Sequence, residues 1–199
     1  IIAMSTITLQ QLKKFYLDEK KSVSEIAKIP NLSETGVNYW FKKFAIPKRT
    51  VREAIYIKHN PKGDPFKFTL PNTREDAKLF GLGIGLYWGE GTKADRGSVR
   101  LGNSDPAIMR VFLEFLIKFF SIDKEDLRFH LHTFTDIDLE EAKNYWKKEL
   151  KIADYQFYKP TVTITGKLGN YRKKSQYGVL TAYYSNTKMR NILVSLLPM

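Results

Sequence analysis

The sequence predicts an α+β protein in two parts: an all-α domain over residues 1–60 and a mixed domain over 69–199, joined by a linker at 61–68. Three observations predict it. Residues 8–58 carry apolar side chains at helical spacing and no alternating run. Residues 59–67, HNPKGDPFK, hold two prolines and a glycine and so break regular structure. Beyond them, alternating strand-like runs are interleaved with strongly apolar helical ones.

The first helix runs from Thr8 to about Tyr16, with Leu12, Phe15 and Leu17 expected inward. Ser22 with Glu25 three positions on forms a capping box for a second helix, Val23–Ile29. Pro30-Asn31-Leu32 breaks that helix. Ser33 caps a third helix reaching about Phe44, with Val37, Trp40, Phe41 and Phe44 on its apolar side. Pro47 stops it, and residues 51–58 form a fourth short helix.

In the second domain, Thr73 and the acidic turn Glu75-Asp76 start a helix that runs through LFGLGIGLYWG to Glu90. Strand-like SVRLGN follows at 98–103. Residues 106–120 are an apolar helix with Pro106 near its first position. Arg128–Phe134 reads as a strand and 138–150 as an amphipathic helix. Phe157–Thr165 and Tyr177–Ser185 read as two strands joined by a basic loop, and 187–197 as a closing helix.

The chain has 199 residues, 43% of them apolar, enough for a real core. Its net charge of +12 points to a polyanion, with nucleic acid the commonest; a basic ribosomal-type protein is the bland alternative. It has no cysteine, which excludes disulfides, cysteine-based zinc fingers and thiol nucleophiles and is compatible with a reducing cytoplasm. The longest apolar run, Leu79–Gly89, is too short to span a bilayer, and no secretory signal is evident. Met4 is expected to be the native start. The expected location is the cytoplasm, in association with the nucleoid.

Two constellations carry chemistry. In KSVSEIAKIPNLSETGVNYWFKKF, two helices are joined by a short turn, and the segment resembles the helix-turn-helix modules of DNA invertases, resolvases and transposases. Such a geometry lays the second helix across the major groove. Glu34, Thr35, Asn38, Tyr39 and Lys42 would face outward, with Asn38 the best base reader, since an amide can pair bidentately with adenine. Lys42, Lys43, Lys48 and Arg49 are placed for phosphates, and Arg49 for an adjacent minor groove. The plainer reading is a three-helix core with solvated lysines.

The second constellation is Gly81, Gly85 and Gly89, four residues apart, with Gly83 between them. Each glycine inside a helix costs about 1 kcal/mol against alanine, so close approach by another helix is the expected compensation. A phosphate-cradling loop is rejected: Leu86 stands where the third glycine of G-x-G-x-x-G belongs, and the preceding pattern is helical.

Residues 83–91, GIGLYWGEG, resemble the LAGLIDADG motif of homing endonucleases. Gly85, Leu86, Glu90 and Gly91 match its internal glycine, leucine, last acid and final glycine, while Gly83 replaces the leading leucine and Trp88 the first aspartate. The resemblance implies an αββαββα domain built from 74–90, a short strand near 91–95 with 98–104, 106–120, the pair 157–165 and 177–185, and 187–197. The strand and helix at 126–150 would be an insertion. It further implies a homodimer packed through Gly81, Gly85, Leu86 and Gly89, double-stranded DNA with a roughly palindromic site as partner, and hydrolysis of its phosphodiesters with Mg²⁺, for which Mn²⁺ or Ca²⁺ would substitute in crystals. Glu90 would be catalytic and, with Gly91, a metal ligand; Asn103 and Lys93 are candidate supporting residues. The family's basic residue after the last helix has no counterpart, with Lys188 and Lys159 as possible substitutes. Relatives that keep the fold as non-cleaving transcription regulators, or as RNA-binding maturases, supply the alternatives.

Strand alternation nominates a groove-reading face: Ser98 and Arg100; Arg128, His130 and His132; Lys159, Thr161 and Thr163, with Thr165 beyond them. Tyr158, Val162 and Ile164 would take the opposite face. For any one of the polar residues, an ordinary wet sheet face is an equal reading. A zinc site on His130 and His132 lacks a third ligand. From Tyr155 onward seven Lys/Arg and no acid occur, and Lys167, Arg172, Lys173 and Lys174 in the loop GKLGNYRKKSQ are expected along phosphates.

Overall fold

The computed structural model describes residues 6–29, 31–165 and 175–198. Lys167, Arg172, Lys173 and Lys174 lie outside the described residues. The chain divides into two compact units, 1–65 and 66–199.

In the first unit, α1 (Leu9–Lys13) continues into a π-helical turn, Lys14–Asp18, and is followed by α2 (Val23–Lys28), α3 (Glu34–Lys43) and α4 (Val51–His59). Side-chain caps start all four α-helices, from Thr8, Ser22, Ser33 and Thr50. The core is Ile7, Leu12, Tyr16, Ile26, Ala27, Val37, Phe41 and Ile46. Leu17, expected inward, is exposed; the i, i+4 pair Leu12 and Tyr16 takes the buried side, with Phe15 at its margin.

The second unit comprises α5 (Arg74–Glu90), β1 (Val99–Asn103), α6 (Pro106–Phe120), β2 (Arg128–Phe134), α7 (Leu139–Leu150), β3 (Thr161–Thr163), β4 (Val179–Tyr184) and α8 (Thr187–Ser195). Residues 66–68, expected in the linker, belong to this unit. Phe66 and Phe68 pack on its core, and the Lys67 and Thr69 amides donate to Phe120 and Phe119 carbonyls, 2.9 Å each, at the end of α6 where no intrahelical donor remains.

The sheet is mixed, in the order β1-β4-β2-β3. This corrects two expectations. The pair 157–165 with 177–185 does not form: β2 lies between β3 and β4, antiparallel to β4 and parallel to β3. The strand at 128–134, expected as part of an insertion into the frame, is therefore an interior strand of the sheet. Its alternation explains why: Phe129, Leu131 and Thr133 are buried on one face. α7 is the crossover that a parallel β2–β3 pair requires, and β3, preceded by Pro160, is a three-residue edge. The strand expected near 91–95 shrinks to one bridge, Gly91 with Leu101, plus a 3.0 Å bond from the Thr92 amide to the Arg100 carbonyl.

One sheet face is buried. Val99, Leu101, Leu180, Ala182, Tyr184, Phe129 and Leu131 join a core with seven residues of α6, Trp146 of α7, and Met189 and Leu193 of α8. α5 packs along α6. Gly83 makes this possible, because a Cβ there would stand inside the Phe115 ring.

Candidate nucleic-acid interface

α5 has two glycine faces of opposite character. Gly83 is buried against α6, whereas Gly81, Gly85 and Gly89 are exposed with no atom near the place a Cβ would take. Leu82 and Trp88, 47% and 54% exposed, share the open face and were not anticipated. Leu86, expected at a dimer interface, instead packs on the unit's own core; a leucine three residues after the buried Gly83 falls on the same side of the helix as that glycine.

The helix ends on Glu90, which is exposed; among the described residues no hydrogen bond or ion pair engages its carboxylate. The backbone leaving it turns at once beside β1 through the Gly91–Leu101 bridge. Gly91 is required there: a Cβ would meet the ring and carbonyl of Tyr87. Tyr87 is fully buried, and burial raises the pKa of its hydroxyl.

The two supporting residues are otherwise occupied. The Lys93 ammonium donates to the Trp88 carbonyl at 2.5 Å, closing the end of α5. The Asn103 side-chain oxygen accepts from the Asp105 amide at 2.9 Å, shaping the entry to α6. The loop between Glu90 and β1 is held by Arg190 of α8, whose guanidinium donates to the Lys93 and Asp95 carbonyls. Asp95 accepts from the Gly97 amide at 2.6 Å and pairs with Arg100, which together hold its carboxyl below the usual range. No local pattern marks Arg190, because its partners lie almost a hundred residues away in sequence. Among the described residues, no group of three or more His, Asp or Glu is placed to hold a metal ion.

The other sheet face is partly exposed and polar, as alternation predicted for Arg100, Arg128, His130 and His132. His130 and His132 bond through their Nε2 atoms to the hydroxyls of Thr161 and Thr163, at 3.0 and 2.7 Å. Burial lowers the His130 pKa, with His132 adding to it, which favours the neutral ring and its hydrogen bonding over a charged one. Ser98, expected on this face, is buried and accepts from Arg100 Nε at 2.7 Å. Lys159 is exposed. Tyr158, expected on the covered face, instead meets the Tyr183 ring, because alternation does not carry back through Pro160. Tyr183 lies on the partly exposed side of β4.

In the first unit, α3 presents Thr35, Tyr39, Lys42 and Lys43 to solvent, and Lys48 is exposed just beyond it. Lys43 lies over the Trp40 ring at 4.7 Å. Asn38 is half-buried, and its amide oxygen is buried without a partner among the described residues. Arg49, expected at phosphates and an adjacent minor groove, is engaged within its own unit. Its guanidinium lies 3.9 Å over the Tyr16 ring and donates to the carbonyls of Lys20 and Lys21, at 2.9 and 3.1 Å, and to that of Tyr16. The Tyr16 carbonyl lies in the last turn of the first helical segment, where positive charge is favoured, and Lys20 and Lys21 follow its end, so Arg49 clamps that end of the segment.

Arg49→Met is accordingly expected to destabilise the first unit by about 2–3 kcal/mol. Hydrogen exchange of the amides over 9–18 in the whole protein should accelerate about fiftyfold. Arg49→Lys should not restore protection, since one ammonium cannot span three carbonyls and a ring. Unchanged exchange with altered DNA sequence preference would favour the groove-reading role over the clamp.

Comparison of the chain with protein-family profiles, with curated proteins and with solved structures finds no match. No helix among the described residues is long and apolar enough to cross a membrane.

Proposed function

We propose that the chain binds double-stranded DNA sequence-specifically and, as a homodimer, hydrolyses its phosphodiesters with Mg²⁺. The observation that carries this reading is the open face of α5, where Gly81, Gly85 and Gly89 lie bare beside exposed Leu82 and Trp88 and the helix delivers Glu90, whose carboxylate no described residue engages. Bare glycines on an exposed, partly apolar helix suit close approach of an identical helix. A two-fold pairing brings both Glu90 carboxylates to one axis. The LAGLIDADG-like motif and the charge of +12 point the same way.

Among the described residues no cluster of three or more His, Asp or Glu is placed to hold a metal within one chain, so a divalent cation fits where two copies each contribute Glu90, with the Gly91 carbonyl as a further hard oxygen donor. Bound there, the cation would polarise the scissile phosphate and activate water. The protein's own part is to fix where each carboxylate stands: Gly91 ends the helix over Tyr87, Lys93 closes its carboxyl end, and Arg190 ties down the loop that follows. The outward side of α3 would read bases flanking the site, as a helix-turn-helix does.

The commitment of Lys93 and Asn103 to backbone partners favours, as a second reading, a non-cleaving DNA-binding regulator on the same frame. One experiment separates the two. Sites selected from a random DNA library by binding are incubated with protein and Mg²⁺ or Mn²⁺, against EDTA. The nuclease cuts its selected sites on both strands only with metal, with two chains per site in sedimentation. Tight binding with no cutting under any metal makes the regulator correct.

A further inference from the structure

We propose that Arg100, Tyr183 and Arg128, with Tyr158 and Tyr155 beside them, form a stacking site for an unpaired nucleobase of DNA. The inference rests on the reading that this sheet face meets DNA. It departs from that reading in what is recognised: the face of a base rather than its groove edge.

The register aligns the row. Arg100 of β1 and Arg128 of β2 are both cross-strand partners of Tyr183 on β4, so all three stand on the same partly exposed face. The Arg100 guanidinium lies 4.9 Å from the Tyr183 ring centre, and Tyr158 meets that ring edge-on at 5.6 Å. Arg128 lies 5.9 Å from the centre of the Tyr155 ring. Tyr155 and Tyr158 are 60% and 45% exposed, so neither ring is placed to stabilise the core.

Both guanidiniums are tethered. Arg128 donates to the Glu125 and Leu127 carbonyls at 2.6 and 2.9 Å, and Arg100 donates to the Ser98 hydroxyl and pairs with Asp95. Arg128 is held through Nη1 and Arg100 through Nε and Nη2, so each guanidinium is fixed in orientation, and Asp95 offsets the charge of Arg100. What such groups retain is a flat cationic surface, which stacks on aromatic rings and on bases alike. In a duplex the bases stack on one another and show the grooves only their edges. Exposed tyrosines alternating with planar cations therefore suit a base that has left the stack. Lys159, exposed next to Tyr158, is placed for the strand's phosphate.

The test compares matched DNA duplexes that are fully paired or carry one unpaired 2-aminopurine, followed by anisotropy and by the fluorescence of that base. The unpaired duplex should bind about tenfold more tightly, with the fluorescence quenched on binding. Tyr158→Ala should remove most of that preference and the quenching while leaving paired-duplex affinity within about twofold; Tyr158→Phe should restore both. Tyr155→Ala, at a still more exposed position, serves as a second variant, and circular dichroism confirms that each folds. Equal affinity for paired and unpaired duplexes overturns the stacking site and leaves duplex binding intact. Loss of affinity for both duplexes alike in Tyr158→Ala also overturns it. Binding to no DNA at all overturns this inference together with the proposed function. Tighter binding to the matching RNA overturns the assignment to DNA.

Discussion

Gly83→Val is expected to destabilise the second unit by about 3 kcal/mol or more, whereas Gly85→Ala, half a turn away, should stabilise it by up to about 1 kcal/mol. The difference lies in what each position faces. The added carbons at Gly83 would enter the Phe115 ring, which is fully buried, packed edge-on against Phe80 and Phe120, obliquely against Phe119 and stacked with Phe112. A ring held on several sides has nowhere to go, so α5 must lift from α6. At Gly85 nothing stands within 4 Å, and alanine only improves helix propensity. Calorimetry should show a midpoint about 10 °C lower for Gly83→Val and slightly raised for Gly85→Ala. If α5 pairs with a second copy, Gly85→Val should leave the single chain folded while shifting it to monomer in sedimentation. A loss of stability at Gly85 equal to that at Gly83 would mean that the outer glycine face is already covered within one chain.

Glu90→Gln should lower metal-dependent cleavage about a thousandfold or more while leaving DNA affinity within a few-fold. The change is nearly isosteric and removes the charge that a divalent cation needs. Because no hydrogen bond or ion pair to a described residue engages Glu90, the fold should not register its loss. If anything, melting should be unchanged or slightly raised, since a negative charge at the carboxyl end of α5 opposes the helix dipole. A neutral effect on melting with abolished cutting identifies a residue kept for chemistry. Cleavage persisting in Glu90→Gln would move the active site elsewhere, and abolished binding would make Glu90 structural.

Local signals account for what was readable before the fold was known. The capping residues Ser22, Ser33 and Thr73 and the N-terminal Pro106 start helices within a residue or so of their observed ends. Alternation in 128–134 assigned the right side chains to the right faces. Pairing was not readable: period two says which way a side chain points and nothing about which strand lies alongside, so β2 was placed outside the frame it occupies. The same alternation applied to 179–184 would have put Tyr183 on the open face. Arg49 is ambiguous in the sequence for a different reason. A basic residue after a recognition-like helix fits a phosphate or a backbone carbonyl equally well, and only the return of the chain past Tyr16 decides between them. Glu90 was legible as the end of a helix, but the engagement of Lys93 and Asn103 by backbone groups was not.

The short edge strand behind Pro160 bears on how the protein behaves when crowded. β3 offers three residues of ladder, Thr161–Thr163, preceded by a residue without an amide hydrogen, although Val162 and Ile164 are both exposed there. A long apolar edge would recruit strands from other molecules; one this brief gives a foreign chain little to zip onto. Resistance to aggregation at high concentration would then come from the length of the edge rather than from charge placed along it. Extending β3 backward by Pro160→Val should therefore raise light scattering at high concentration relative to the parent chain, with no change in its core.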